Sequence, residues 1–350
     1  MHRLAEIPNL QLRPGVVLAH HTRFGIGGPA RTYAETERVE AMVEALRAAR
    51  DSGLDWAVIG AGTNLIVSDQ GFAGLVLRFT GDRIERAGDR ITVEAGAELQ
   101  ALVDFANAQG LQGLETLAGI PGSVGGAIYG NAGAYGHSIS ARIRRAWFFD
   151  GERIRLLEIE GCEFTYRESV FKRRKDWVIV SAELAMTAAA PEDLRRRSEE
   201  ILAIRNQKYP PTMKCAGSIF KNLFFDQLPP EAARAVPPEI IRDGKVASGW
   251  FLEQAGAKGL HKGDLRVAEH HANLIYNAGA GTVLNTMKKL GGGPMDSLLV
   301  MESLPALETL DYVEKVMVAY WTYKRRFGGE TNTLDALARG DRIIDLRLDK

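Results

Sequence analysis

Residues 119–136 read GIPGSVGGAIYGNAGAYG, eighteen residues that hold seven glycines and no charged side chain. Glycine in the interior of a helix or strand costs roughly 0.5–1 kcal/mol relative to alanine, so a segment this rich in it folds as close turns around short regular pieces. In such turns backbone N–H groups can converge on an anion with no Cβ atoms in the way. An uncharged loop of this kind suits a pyrophosphate held by the backbone. The alternative is a purely structural glycine turn, against which Pro121, Asn131, Tyr129 and Tyr135 make the stretch more particular than a bare GxxGG. Two shorter clusters, GIGG at 25–28 and GAGTN at 60–64, draw on the same pool of 37 glycines. GAGTN follows an apolar run, WAVIG at 56–60, that reads as a strand, and it is not the GxGxxG of a Rossmann site.

Between these loops the pattern is regular. Val39, Met42, Val43 and Leu46 recur at helical spacing between Thr36, an expected N-cap, and Gly53, an expected stop. LVLRF at 75–79 reads as a second strand beside WAVIG. From residue 91, ITVEAG predicts a strand and ELQALVDFANAQG a helix ending at Gly110. After the glycine stretch, RAWFFD, EFTYRES and DWVIVSAELAM (176–186) predict strands of a sheet with more antiparallel character. Pro191 suits the first position of a charged helix whose Leu194, Ile201 and Ile204 point inward, and Pro210–Pro211 stop it. The expected domains are residues 1–80, 81–208 and 209–350, each mixing helix and sheet.

Forty-four Lys+Arg against forty-four Asp+Glu leave a formal net charge of zero, which argues against a nucleic-acid binder with a basic face and against a polybasic membrane tether. Cys162 and Cys215 are too few for a disulfide framework or a cysteine-built metal site. His20–His21 and His270–His271 have no acidic pair beside them, so no metal is expected. The N-terminal MHRLAEIPNL lacks an apolar signal region and no run reaches membrane-spanning length, so a soluble cytoplasmic protein is expected. The neutral total conceals an asymmetry: residues 201–225 carry Arg205, Lys208, Lys214 and Lys221 and no acid. With Tyr209, Ser218 and Asn222 interleaved, the segment reads as an anion site rather than a solvated face. Arg167, beside Tyr166 on an expected strand, either pairs with Glu163, Glu168 or another acid, or presents its guanidinium to a carboxylate.

Eight ordered segments resemble the UDP-N-acetylenolpyruvoylglucosamine reductase family. They are TRFGIGGPA (22–30), VIGAGTNLIVSDQGFAGLVLRF (58–79), the stretch 114–136, YRESVFK (166–172), RNQKYPP (205–211), AGSIFKN (216–222), SGWFLEQAGAKG (248–259) and HHANLIYN (270–277). The resemblance implies an α+β protein with a two-subdomain FAD-binding fold of the vanillyl-alcohol-oxidase type and a C-terminal α+β substrate domain. It implies NADPH as reductant and the enolpyruvyl group of a UDP-sugar as substrate, with no nucleic acid, no membrane insertion and a monomer as the expected state. FAD would lie against Gly60, Gly62, Thr63 and Asn64 in one loop, and against Gly119, Pro121, Gly122, Ser123, Gly125, Gly126, Asn131 and Gly133 in the other. Ser218 matches the family's proton donor and Arg167 its catalytic arginine. Arg205, Lys208, Lys221, Asn222 and Gln254 would hold the UDP-sugar. Glu330, in KRRFGGETNTL at 324–334, is the candidate third catalytic residue, with an exposed turn glutamate as its alternative; it stands closer to Phe327 than the family pattern places it. Residues 280–325 depart from the pattern. Two other readings stay open: a related FAD oxidase, with His137 as a candidate flavin tether, and a flavin-binding homologue without the reaction.

Overall fold

A computed structural model describes residues 2–262, 264–278 and the pair 343–344. The chain divides into two compact units. The first comprises residues 1–22, 27–63 and 69–210, and the second residues 23–26, 64–68 and 211–350.

The first unit contains two sheets. In one, β1 (Gln11–Val17), β2 (Pro29–Thr36), β3 (Trp56–Ile59) and β4 (Phe72–Phe79) take the order β1-β2-β4-β3. β1 is antiparallel to β2, while β4 runs parallel to both β2 and β3. Leu75, Val76 and Leu77 are fully buried, the continuous burial expected of a central parallel strand. Helix α1 (Val39–Asp51) turns Ala41, Met42, Ala45, Leu46 and Ala49 inward. Gly53 stops it at φ +60°, as its sequence predicts. The N-terminus differs from expectation. Thr36 still belongs to β2, so Arg38 is the cap residue, and the Thr36 hydroxyl instead accepts from the Arg38 N–H at 3.0 Å.

The second sheet is antiparallel throughout, with β5 (Ile84–Ala87), β6 (Arg90–Glu94), β7 (Ile143–Phe149), β8 (Ile154–Glu158) and β9 (Val178–Ala185) in the order β8-β7-β9-β6-β5. Its core includes Phe148, which meets Phe171 and Trp177 at ring separations of 5.6 and 4.3 Å. Leu75 and Leu77 of the first sheet and Phe148, Val180 and Leu184 of the second belong to one continuous apolar core. Helix α2 (Leu99–Ala108) buries Leu99, Leu102, Val103 and Ala106 in it. The short helix α3 (Val124–Tyr129) lies inside the glycine stretch. Helix α4 (Pro191–Lys208) begins at its proline and buries Leu194 and Ile201, but Ile204 is 52% exposed. Near its end this helix sets Leu202 and Arg205, not Ile204, against Gly119.

The second unit has an antiparallel sheet of β10 (Lys214–Ser218), β11 (His261–Lys262), β12 (Leu265–Ala268) and β13 (His271–Asn277) in the order β10-β13-β12-β11. Phe24, Ala216, Ile219, Leu265, Val267 and Ile275 form its core. The strand Ile66–Val67 pairs antiparallel with Ile343–Ile344.

Candidate active site

In the first unit the two phosphate-loop candidates meet. The Thr63 hydroxyl donates to the Pro121 carbonyl at 3.0 Å, and a Cβ on Gly60 would collide with the Ser123 hydroxyl. Gly62 has φ +65°, and a Cβ there would run into the His21 carbonyl. Gly60, Thr63, Pro121, Gly122 and Ser123 are therefore gathered in one place, with Gly62 packed on the His21 backbone, at distances that added side chains would prevent. Beneath them, the His21 ring lies 4.4 Å from that of buried Tyr33, whose hydroxyl donates to Glu35 at 2.9 Å. Burial, with the Arg13 and Arg78 charges, holds His21 below its ordinary pKa and so favours the neutral ring. Burial and the Glu35 hydrogen bond push the Tyr33 phenol up to about 12.

Other residues of the stretch are occupied in building it. Ser123 caps α3 by accepting from the Gly126 N–H at 3.2 Å. The Gly125 N–H donates to the Ala95 carbonyl at 2.8 Å, in a contact too close for a side chain. Gly119 donates to Gln100 Oε1 at 2.7 Å and faces Arg205. Gly133 pairs with Ser138 in a two-residue hairpin. Asn131 donates through Nδ2 to the Thr165 carbonyl at 2.8 Å, which links the glycine stretch to the segment carrying Arg167.

That segment is not the expected strand. Thr165 and Glu168 exchange N–H to carbonyl bonds of 3.2 Å each way, so Tyr166 and Arg167 form a tight turn with Arg167 at φ +60°. The alternation of EFTYRES imitates a strand, but Asn131 takes the Thr165 carbonyl. The Arg167 guanidinium donates to the carbonyls of Asn131 (3.1 Å) and Gly133 and lies 5.4 Å from the Tyr166 ring. Lys172, to which the motif YRESVFK assigns no role by itself, is fully buried behind the turn. Its Nζ donates to the Arg167 carbonyl at 3.2 Å and to Glu168 Oε1 at 3.0 Å. Its signal in the sequence is a lysine inside a short apolar helix turn, a place that needs buried partners.

The acid-free run 201–225 is shared between the units. Arg205 and Lys208 occupy the last turn of α4, three residues apart, and both stand 5.5 Å from the Tyr209 ring. Helical spacing thus accounts for two of the four cations in the run. Cations at a helix C-terminus are also favoured by its dipole.

In the second unit, Ser218 ends β10 and is exposed, while Cys215 is buried beside it. Gly217 precedes it at φ +78°, and a Cβ there would lie 3.6 Å from Asn64 Oδ1. Lys221 and Asn222 follow, half-buried, and Gln254 closes the helix Ser248–Gln254 in an exposed position. Glu330 and GGGPMD (291–296) lie outside the described residues. Among the described residues no group of His, Cys, Asp or Glu is arranged to hold a metal.

Comparison with known proteins bears on what this geometry serves. Residues 30–147 match the FAD binding domain family, and residues 209–289 match the UDP-N-acetylenolpyruvoylglucosamine reductase C-terminal domain. The UDP-N-acetylenolpyruvoylglucosamine reductase of Solibacter usitatus is 59% identical over 280 residues, covering 80% of this chain and 90% of that protein. This chain belongs to the UDP-N-acetylenolpyruvoylglucosamine reductase family. The Bacillus velezensis reductase is 35% identical over 273 residues, covering 77% of this chain and 84% of its own length. The crystal structure of the reductase from Thermus caldophilus superimposes with a TM-score of 0.62 at 29% identity, over 85% of this chain and 96% of that one. The architecture is accordingly an FAD-binding domain of the vanillyl-alcohol-oxidase type followed by the C-terminal domain of the reductase family. The chain's own residues fit that cofactor: Gly60, Gly62 and Gly122 let two uncharged loops pack closely without side chains of their own, which leaves backbone groups to meet a pyrophosphate.

Proposed function

We propose that this chain is an NADPH-dependent flavoenzyme that reduces the enolpyruvyl group of UDP-N-acetylglucosamine enolpyruvate, giving UDP-N-acetylmuramate for peptidoglycan. The 59% identity to the Solibacter reductase over 280 residues carries this reading. Bound FAD would supply the hydride chemistry that links NADPH to the substrate's methylene carbon. Gly60, Gly62, Thr63, Pro121 and Gly122 would hold its pyrophosphate through the backbone, with Asn64 in the same set, while Ser123, Gly125, Gly126, Asn131 and Gly133 shape the loop.

Hydride addition places negative charge on the adjacent carbon and its carboxylate. Arg167 stabilises that charge as it develops, and the carbonyls of Asn131 and Gly133 orient the guanidinium before substrate arrives. Ser218 gives its proton to the carbanionic carbon and later recovers one from solvent. A hydroxyl is a feeble acid in water, so this step needs the strongly basic acceptor and nearby cationic charge. Lys208, Lys221 and Arg205 supply that field and bind the diphosphate, with Asn222 and Gln254 as neutral partners. Glu330 is the third catalytic group in this reading. Among the described residues no helix is long and apolar enough to cross a membrane. The reading places the reaction in the cytoplasm, as a monomer, upstream of cell shape and division.

Rapid mixing of the Ser218→Ala variant tests the assignment. Reduction of the flavin by NADPH should proceed as in the parent, and reoxidation by the enolpyruvyl sugar should be blocked. Equal slowing of both halves would withdraw Ser218 as the donor.

A further inference from the structure

The segment after Ser218 is held by a buried amide outside the expected site. β10 pairs with β13 through Lys214↔Asn277, Cys215↔Tyr276 and Ser218↔Leu274, with a register shift between Cys215 and Ser218. Beyond Ser218 the ladder gives way to Asn273, a residue 2% exposed. Its main-chain carbonyl accepts from the Ile219 N–H at 3.1 Å. Its Oδ1 accepts from the Phe220 N–H at 2.8 Å, and its Nδ2 donates to the Phe220 carbonyl at 2.7 Å. The side chain thus acts as one more strand residue, satisfying both backbone groups of Phe220.

Nδ2 also donates to Ser248 Oγ at 2.6 Å, and Ser248 Oγ donates to the same Phe220 carbonyl at 3.1 Å, which closes a ring. The Ser248 N–H reaches Asn222 Oδ1 at 3.4 Å. One amide and one hydroxyl, both buried, therefore fix the backbone between Ser218 and Asn222. An apolar residue at 273 would leave the Phe220 N–H and carbonyl without these partners, so the backbone geometry after Ser218 depends on this one amide.

We propose that Asn273, braced by Ser248, is a positioning residue for the proton donor: it sets the backbone that aims the Ser218 hydroxyl and places Lys221 and Asn222. The proposal rests on the reading of Ser218 as donor. Asn273→Asp keeps the shape but turns a donor into an acceptor facing the Phe220 carbonyl.

In Asn273→Asp, amide hydrogen exchange at Ile219 and Phe220 should accelerate at least tenfold, while exchange in the 143–149 strand stays as in the parent. Flavin reduction by NADPH should be unchanged, and reoxidation by enolpyruvyl substrate should slow by roughly 10–100-fold with KM moved far less. Because proton transfer then limits the rate, the solvent deuterium isotope effect on reoxidation should rise, which partial misfolding would not cause. Ser248→Ala, a gentler change that leaves the Asn273–Phe220 bonds in place, should raise the same isotope effect with a smaller loss of rate. Parental rates and isotope effects in both variants would overturn the proposal. Ser218→Ala separates the two ideas: if it reoxidises normally, the donor reading fails, whereas a block there with normal Asn273→Asp fails only the positioning role.

Discussion

Arg167 sits at φ +60° in a turn position that glycine ordinarily fills, which costs an arginine about 1 kcal/mol or more. The Asn131 and Gly133 carbonyls and the buried Lys172 hold it there. Arg167→Lys tolerates the same backbone but loses the planar fork, so kcat should fall on the order of 100-fold with the folded structure intact by circular dichroism. At Gly62, alanine would meet both the positive φ and the His21 carbonyl. Purified Gly62→Ala should retain less than half the parental FAD, read from the absorbance ratio at 450 and 280 nm, the threshold being about 1 kcal/mol of backbone strain. Both residues stand in matching motifs, so their identity was legible in the sequence. Their conformations were not, because a turn pinned by the distant Asn131 leaves no local mark on EFTYRES. Asn273 and Lys172 were hidden for the same reason: their partners are backbone groups brought near only by folding.

At the scale of elements, sequence periodicity located most helices and strands because burial enforces it. α1, α2 and α4 keep their apolar stripes, and Gly53 and Pro191 mark boundaries that backbone geometry dictates. The failures are at ends. Thr36 reads as a cap because β2 has no visible stop in the sequence, and Ile204 reads as inward because Gly119, which faces Leu202 and Arg205, is far away in the chain. The antiparallel sheet also carries a charge cluster. Buried Glu183 accepts from Arg90 at 2.8 Å and Arg145 at 3.0 Å across three strands. Burial alone would raise its pKa, but the two arginines outweigh it and hold the carboxyl below its ordinary value. A depressed folded-state pKa stabilises the fold above the unfolded value near 4.5 and is lost as pH falls through the folded one. Glu183→Gln should therefore lower Tm at pH 7, by a ΔΔG of roughly 1–3 kcal/mol, and the gap to the parent should close on titration to pH 3. A gap independent of pH would show that Glu183 acts through packing alone.

At the scale of the whole molecule, the zero net charge and surplus glycine both resolve into local structure. Glycine from two distant loops gathers where Thr63 meets Pro121, and the acid-free run divides between the end of α4 and the strand before Ser218. The order of the eight motifs made the family legible, while the meeting of the two loops depends on how the first unit closes. Reductase activity with a dissociable flavin is read from stoichiometric NADPH consumption. Purified protein should be yellow, release FAD on denaturation, and oxidise one NADPH per UDP-N-acetylglucosamine enolpyruvate added, with negligible turnover when that substrate is withheld. Colourless protein, flavin that stays with the precipitate, or NADPH oxidation indifferent to the enolpyruvyl sugar would contradict it.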